Sequence, residues 1–144
     1  MSDVKEILSK HKTIAMIGVS KDPTKPSTIV MKYMQKYGYK VIPVNPRAKD
    51  EKILGEDVFQ KITDIKEPID IVDVFRPSKE VYKIAEDTVK IRAKVLWLQL
   101  GIRDENAKKL VEKNNIEYVE NKCTKMEYQK HFLKIRQAFP VLSN

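Results

Sequence analysis

Thr13-Ile14-Ala15-Met16-Ile17-Gly18-Val19-Ser20 is the stretch on which the fold turns. Its nearly unbroken apolar run reads as a strand covered on both faces, which is how strands of a parallel sheet differ from half-exposed, alternating ones. Gly18 and the turn-prone Ser20-Lys21-Asp22-Pro23 then stop it. From about Ser27 to Tyr37, Val30, Met34 and Tyr37 recur at helical spacing, and Gly38 stands where a helix is capped. Tyr39-Lys40-Val41-Ile42-Pro43-Val44 is a second strand, halted by Asn45-Pro46. The same rhythm returns further on. Ile69 to Phe75 is a strand, an amphipathic segment carries Val81, Ile84, Ala85, Thr88 and Val89, and Ala93 to Leu98 is a strand again. A helix over Asp104 to Asn114, a strand over Ile116 to Val119 and a last helix from about Thr124 to Ala138 complete the pattern, the last with Tyr128, Phe132, Ile135 and Phe139 along one stripe. Residues 47 to 68 interrupt it with an excursion that holds at most a short strand or helix.

Strands alternating with helices imply right-handed crossovers and an α/β fold: a Rossmann-like, doubly wound, mostly parallel sheet with helices on both faces. The chain of 144 residues shows no internal repeat or low-complexity linker, so one domain over residues 1–144 is expected. A domain of this size buries roughly two-thirds of its unfolded surface and folds without disulfides or structural metal. Its one cysteine, Cys123, excludes an intrachain disulfide and paired CxxC zinc sites. Met1 to Glu6 carries no secretory signal, and no apolar run approaches the roughly 18–20 residues of a membrane span. A cytoplasmic protein with no membrane partner is expected, and a homo-oligomer is left open.

The 28 Lys and Arg against 20 Asp and Glu give a formal charge of +8, which favours anionic partners. Lys and Glu are interspersed, however, and the densest basic stretch, Lys122 to Arg136, has the spacing of a solvated helix face. Nucleic acid is therefore not the expected partner and is carried as a third reading on charge alone.

In an open α/β sheet, ligands lie beyond the carboxyl ends of the strands, where the strand order reverses. After the first strand, Gly18, Val19 and Ser20 let a ligand approach the backbone, and Lys25-Pro26-Ser27 opens a helix whose free N–H groups attract anions. This stretch is not GxGxxG. At the second strand end, NAD binders place a carboxylate on the ribose. Here the tip is Asn45-Pro46-Arg47, where a guanidinium can pair with a sugar phosphate. The residues thus point to NADP or coenzyme A. Phe75 and Arg76 close the third strand, Gln99-Leu100-Gly101 the fourth, and Asn121-Lys122-Cys123 the last. His11 and His131 fall on helices away from these tips. No Ser-His-Asp set, metal-ligand cluster or GxxxxGK[ST] loop accompanies them, and Asp70 and Asp73 sit inside a strand. The crevice reads as one that binds, with no catalytic residues, and enzyme activity stays uncertain.

Across Ile7 to Tyr128 the chain resembles the small stand-alone CoA-binding domain proteins, which are similar to the N-terminal CoA-binding domain of the succinyl-CoA synthetase alpha subunit. The resemblance is carried by Ile17-Gly18-Val19-Ser20 with Lys25-Pro26-Ser27, by Gly38 to Pro46, by Val72-Asp73-Val74-Phe75-Arg76, by Leu96 to Ile102, and by Asn121-Lys122-Cys123. It implies coenzyme A, or an acyl-CoA, held at the strand tips. Gly18, Val19, Ser20, Lys25, Pro26 and Ser27 would hold the diphosphate, and Asn45, Pro46 and Arg47 the adenosine and its 3′-phosphate. Phe75, Arg76, Gln99 and Gly101 would flank the pantetheine arm, with Asn121 and Cys123 at its far end. One departure is Lys122, where the family usually has Arg and a planar, bidentate cation. The synthetases also use a second domain with a phosphorylated histidine, for which 144 residues leave no room, so ligase activity does not carry over. An NADP-dependent oxidoreductase or NADP-binding module remains the alternative.

Overall fold

The computed structural model describes residues 2–48 and 50–134. Strands β1 (Thr13–Ile17), β2 (Lys40–Val44), β5 (Ile71–Val74), β6 (Val95–Leu98) and β7 (Glu117–Val119) form one parallel sheet in the order β2-β1-β5-β6-β7. The helices are α1 (Val4–Lys10), α2 (Pro26–Lys36), α3 (Val81–Lys90), α4 (Glu105–Lys113) and α5 (Thr124–Tyr128). The excursion after β2 contains a two-residue hairpin, β3 (Lys52–Ile53) with β4 (Glu56–Asp57), and a single 3-10 turn at Ile62–Asp64. It returns to the sheet edge through a parallel bridge between Val44 and Phe59.

The side-chain period of two divides each strand between two cores. Val95 and Trp97 of β6 join Ile7 and Leu8 of α1 and Val30, Met31 and Met34 of α2 on one face. Leu96 and Leu98 join Val81 and Ala85 of α3 and Ala107 and Val111 of α4 on the other. Asp73 belongs by alternation to the first face, beside its register partners Met16 and Trp97. Trp97, fully buried, satisfies its indole by donating to the Lys122 carbonyl at 2.8 Å.

Helix starts follow local chemistry. Asp104 accepts from the Ala107 N–H at 2.8 Å, an N-cap. Pro26 occupies the first turn of α2, where its missing N–H costs nothing. Ser27 therefore lies inside the first turn, with Lys25 at the cap position. The last helix differs from its expectation: regular α geometry ends at Tyr128, and Gln129–Leu133 widen into a π turn closed by Lys134 at φ 54. The wide turn accompanies a stack of Tyr128 on Phe132, with centroids 4.8 Å apart, against Tyr33, Tyr37 and Tyr39. The expected continuation through Ile135 to Phe139, with Arg136, lies outside the described residues. No helix among the described residues is long and apolar enough to cross a membrane.

Candidate functional site at the strand tips

Strand order reverses between β1 and β5, since β2 lies on one side of β1 and β5, β6 and β7 follow on the other. The chain leaves the paired tips of β1 and β5 toward opposite faces of the sheet, to α2 and α3, and a crevice opens between the two connections. Gly18 sits in it at φ +97, and a Cβ there would lie 2.6 Å from the Phe75 carbonyl oxygen and 3.0 Å from Arg76 Cδ. Two strand tips can meet this closely only without a side chain.

The loop from Gly18 to α2 is shaped by its own polar groups. Thr28 Oγ1 donates to the Ser20 carbonyl at 2.6 Å, the Ser20 N–H donates to Ser27 Oγ at 3.3 Å, and the Asp22 N–H donates to Ser20 Oγ at 3.0 Å. Asn45 Nδ2 donates to the Val19 carbonyl at 2.9 Å while its Oδ1 accepts from the Arg47 N–H at 2.9 Å, so the β2 tip is stapled to the β1 loop. With Pro26 first in α2, the N–H groups of Ser27 and Thr28 lack intrahelical acceptors at the positive end of the helix dipole.

This loop separates two clefts. One, about 390 Å³, is lined by Ser20, Lys21, Asn45, Arg47, Ala48, Glu51 and Ile53. The other, about 380 Å³ and more apolar, runs between Pro26, Val30, Phe75, Gln99, Leu100 and Cys123, with Arg76, Pro77 and Ile102 at its wall. A polar cleft and an apolar one, with helix N–H groups between them, suit a ligand with a sugar-phosphate end, an anionic middle and a less polar arm.

The structure thus brings Ser20, Asn45 and Arg47 to the first cleft and Pro26, Phe75, Arg76, Gln99 and Cys123 to the second. Gly18, Val19 and Lys25 belong to the loop between them and Ser27 to the first turn of α2, with Val19 buried in the core under that helix face. Pro46 and the stem of Arg76 line a smaller cavity on the opposite face, with Ile17, Ile62 and Ile84. Gly101 and Asn121 line neither cleft. Asn121, at φ 55, accepts from the Gly101 N–H through Oδ1 at 2.7 Å and so ties the β6 and β7 tips together.

Charges at the site are partly committed. Arg76 makes a fork on Glu80, Nε to Oε1 at 2.9 Å and Nη2 to Oε2 at 2.7 Å, which holds Glu80 below the usual carboxylate range. Lys21 pairs with Glu51 at 2.7 Å, and that hydrogen bond raises its pKa. Among the described residues, Lys25 and Arg47 have no carboxylate partner in an ion pair. Burial pushes the Cys123 thiol up, which leaves it a poor nucleophile at neutral pH. His11 and His131 lie by Asp70 and Glu127, away from both clefts. No cluster of metal-ligating side chains occurs among the described residues.

The sequence reading missed Lys21 and Glu51 in the first cleft and the polar pair Asp73 and Thr124 beneath the second. A carboxylate inside an otherwise apolar run was the available signal for Asp73. Thr124 carried none, because its partner is 51 residues away.

Residues 12–129 match the family described as CoA binding domain, and the chain belongs to that family. It is 35% identical over 127 residues to the Bacillus subtilis (strain 168) protein YneT, covering 88% of this chain and 93% of that protein. It is 30% identical over 83 residues to an ADP-forming acetate–CoA ligase of Methanocaldococcus jannaschii, covering 58% of this chain but only 12% of the ligase. In structure it is similar to cell-free ID.343 from Thermus thermophilus, with a TM-score of 0.86, 36% identity, and coverage of 91% of this chain and all of that one. These similarities bear out the expected family and its Rossmann-like α/β fold.

Proposed function

We propose that the protein binds coenzyme A or an acyl-CoA across the switch point and carries out no chemistry by itself. The observation that carries the reading is the juxtaposition of the Gly18–Ser20 loop and the start of α2 with a polar cleft on one side and an apolar one on the other. Main-chain N–H groups and the helix dipole would receive the diphosphate. Arg47, exposed and without a carboxylate partner among the described residues, would meet the 3′-phosphate at the rim of the first cleft. Phe75, Pro26 and Val30 would cover the pantetheine arm, with Gln99 beneath it and the thiol end near Cys123. Lys21 would have to exchange Glu51 for ligand, so part of the attraction is offset by breaking an existing pair. Gly101 and Asn121 would support the site by setting the β6 and β7 tips. Membership of the CoA-binding domain family supports the same ligand.

Isothermal titration with CoA, dephospho-CoA and NADPH tests this. CoA should bind tightest, and Arg47→Ala should weaken CoA about tenfold while leaving dephospho-CoA nearly unchanged, as expected for one charge-assisted contact. No heat with CoA from folded protein, or tighter binding of NADPH, overturns the reading.

A further inference from the structure

Gln99 is 4% exposed and lies in the wall of the apolar cleft, yet its side-chain nitrogen is turned away from the cleft. Nε2 donates to Asp73 Oδ1 at 2.6 Å and to Thr124 Oγ1 at 3.2 Å, and Thr124 Oγ1 donates in turn to Asp73 Oδ2 at 3.1 Å. Both amide hydrogens are therefore used inside the protein. Among the described residues no hydrogen bond reaches Gln99 Oε1 and no buried side-chain nitrogen or oxygen lacks a partner, so this oxygen is accessible, and the surface Gln99 offers is the cleft wall.

We propose that Asp73 is a positioning residue that holds the Gln99 amide with its carbonyl oxygen toward the cleft, making that wall a hydrogen-bond acceptor for an amide N–H of the ligand's arm. The inference rests on the reading of this cleft as the seat of the pantetheine arm, whose two amides supply such donors, and it deepens that reading. The physical reason is polarity. Turning the amide over would bring Oε1 to 2.6 Å from a carboxylate oxygen, two acceptors in contact in a buried place. An ionised Asp73 forbids the turn, whereas a protonated Asp73 can donate to Oε1 and permit it, presenting a donor to the cleft instead.

Asp73 is fully buried, and this desolvation pushes its carboxyl up to about 7 against the pull of its two hydrogen bonds, so the choice falls near neutrality. The ionisable groups facing it are few. From the start of α5 come Cys123, whose thiol is raised by burial and by Asp73, and Lys125 beyond it. Its register partners on β1 and β6, Met16 and Trp97, carry no charge.

The test measures affinity for dephospho-CoA and for ADP-ribose between about pH 6 and about pH 8. Both carry the adenosine diphosphate as a diester with no phosphate group titrating in this range, and only dephospho-CoA has the amide arm, so the ratio of the two dissociation constants reports the arm alone. In the wild type, the advantage of dephospho-CoA should grow about fivefold as pH rises through neutrality, the effect of one net hydrogen bond. Asp73→Asn should flatten that profile. Gln99→Met should cut the advantage about fivefold at the upper pH without changing affinity for ADP-ribose. The wild-type profile needs no variant, so a poorly folding substitution does not protect the idea. A flat wild-type ratio, or an undiminished advantage in folded Gln99→Met, overturns this proposal and leaves CoA binding standing. Failure of the wild type to bind dephospho-CoA at any pH overturns the reading of the site as well.

Discussion

Replacing Gly18 by alanine tests whether the two strand tips are as close as the site requires. The new Cβ would stand 2.6 Å from the Phe75 carbonyl oxygen and 3.0 Å from Arg76 Cδ. The arginine stem can move, but the carbonyl belongs to the backbone at the end of β5 and can yield only by shifting the strand end. Gly38 is the matched control: its φ of +95 is nearly that of Gly18, +97, yet nothing lies within 4 Å of its Cβ position. Both alanines incur the cost of a left-handed backbone, about 1–3 kcal/mol. Gly18→Ala alone adds the overpacking cost, about 1–3 kcal/mol more. At roughly 4 °C per kcal/mol for a domain of this size, Gly18→Ala should melt about 4–12 °C below Gly38→Ala. Differential scanning calorimetry of the two variants and the wild type measures this directly. Equal melting temperatures for the two variants would refute the close approach and, with it, the idea that the β1 and β5 tips form one crevice wall.

Three further outcomes are expected. Ser20→Asp keeps an acceptor for the Asp22 N–H but adds a negative charge to the loop, so CoA affinity should fall roughly tenfold or more; unchanged affinity by titration would move the diphosphate elsewhere. Cys123→Ser should leave CoA affinity within about twofold, since the buried thiol acts as a small apolar group, and mass spectrometry without reductant would reveal a mixed disulfide if one forms. Asp73 should make the protein less stable as pH rises: its folded-state pKa, about 7, exceeds the ordinary 3.8, so the native state holds the proton that the unfolded chain has lost. That interval is worth up to about 4 kcal/mol, accumulated between about pH 4 and pH 7 and then constant. Asp73→Asn should therefore gain stability relative to wild type over that range in urea titrations, and a pH-independent difference between the two would contradict it.

Much of the fold was legible because it rests on short-range pattern. The apolar runs at Thr13–Val19 and Val95–Leu98 are too continuous for half-exposed strands, and the helical spacing of Val30 and Met34 or Val81 and Ala85 specifies which side of each helix meets the sheet. The strand tips could be nominated as a site for the same reason, since the rule that ligands gather there needs only the strand ends. Within the site, the sequence could place Gly18, Ser20, Asn45 and Arg47 on loops but not say which cleft each would face.

Local chemistry in this chain determined where elements begin and end, which of their faces are apolar, and that the loop tips are rich in glycine, hydroxyls and cations. Only the tertiary structure decided that Arg76 is held by Glu80, that Asn121 serves Gly101 rather than a cleft, and that Asp73, Gln99 and Thr124 form one buried triangle. The physical reason is range. Backbone propensity and hydrophobic period act over a few neighbouring residues. The partner of a polar side chain, and the pKa that burial gives it, depend on groups that the chain brings together only when the sheet closes and water leaves.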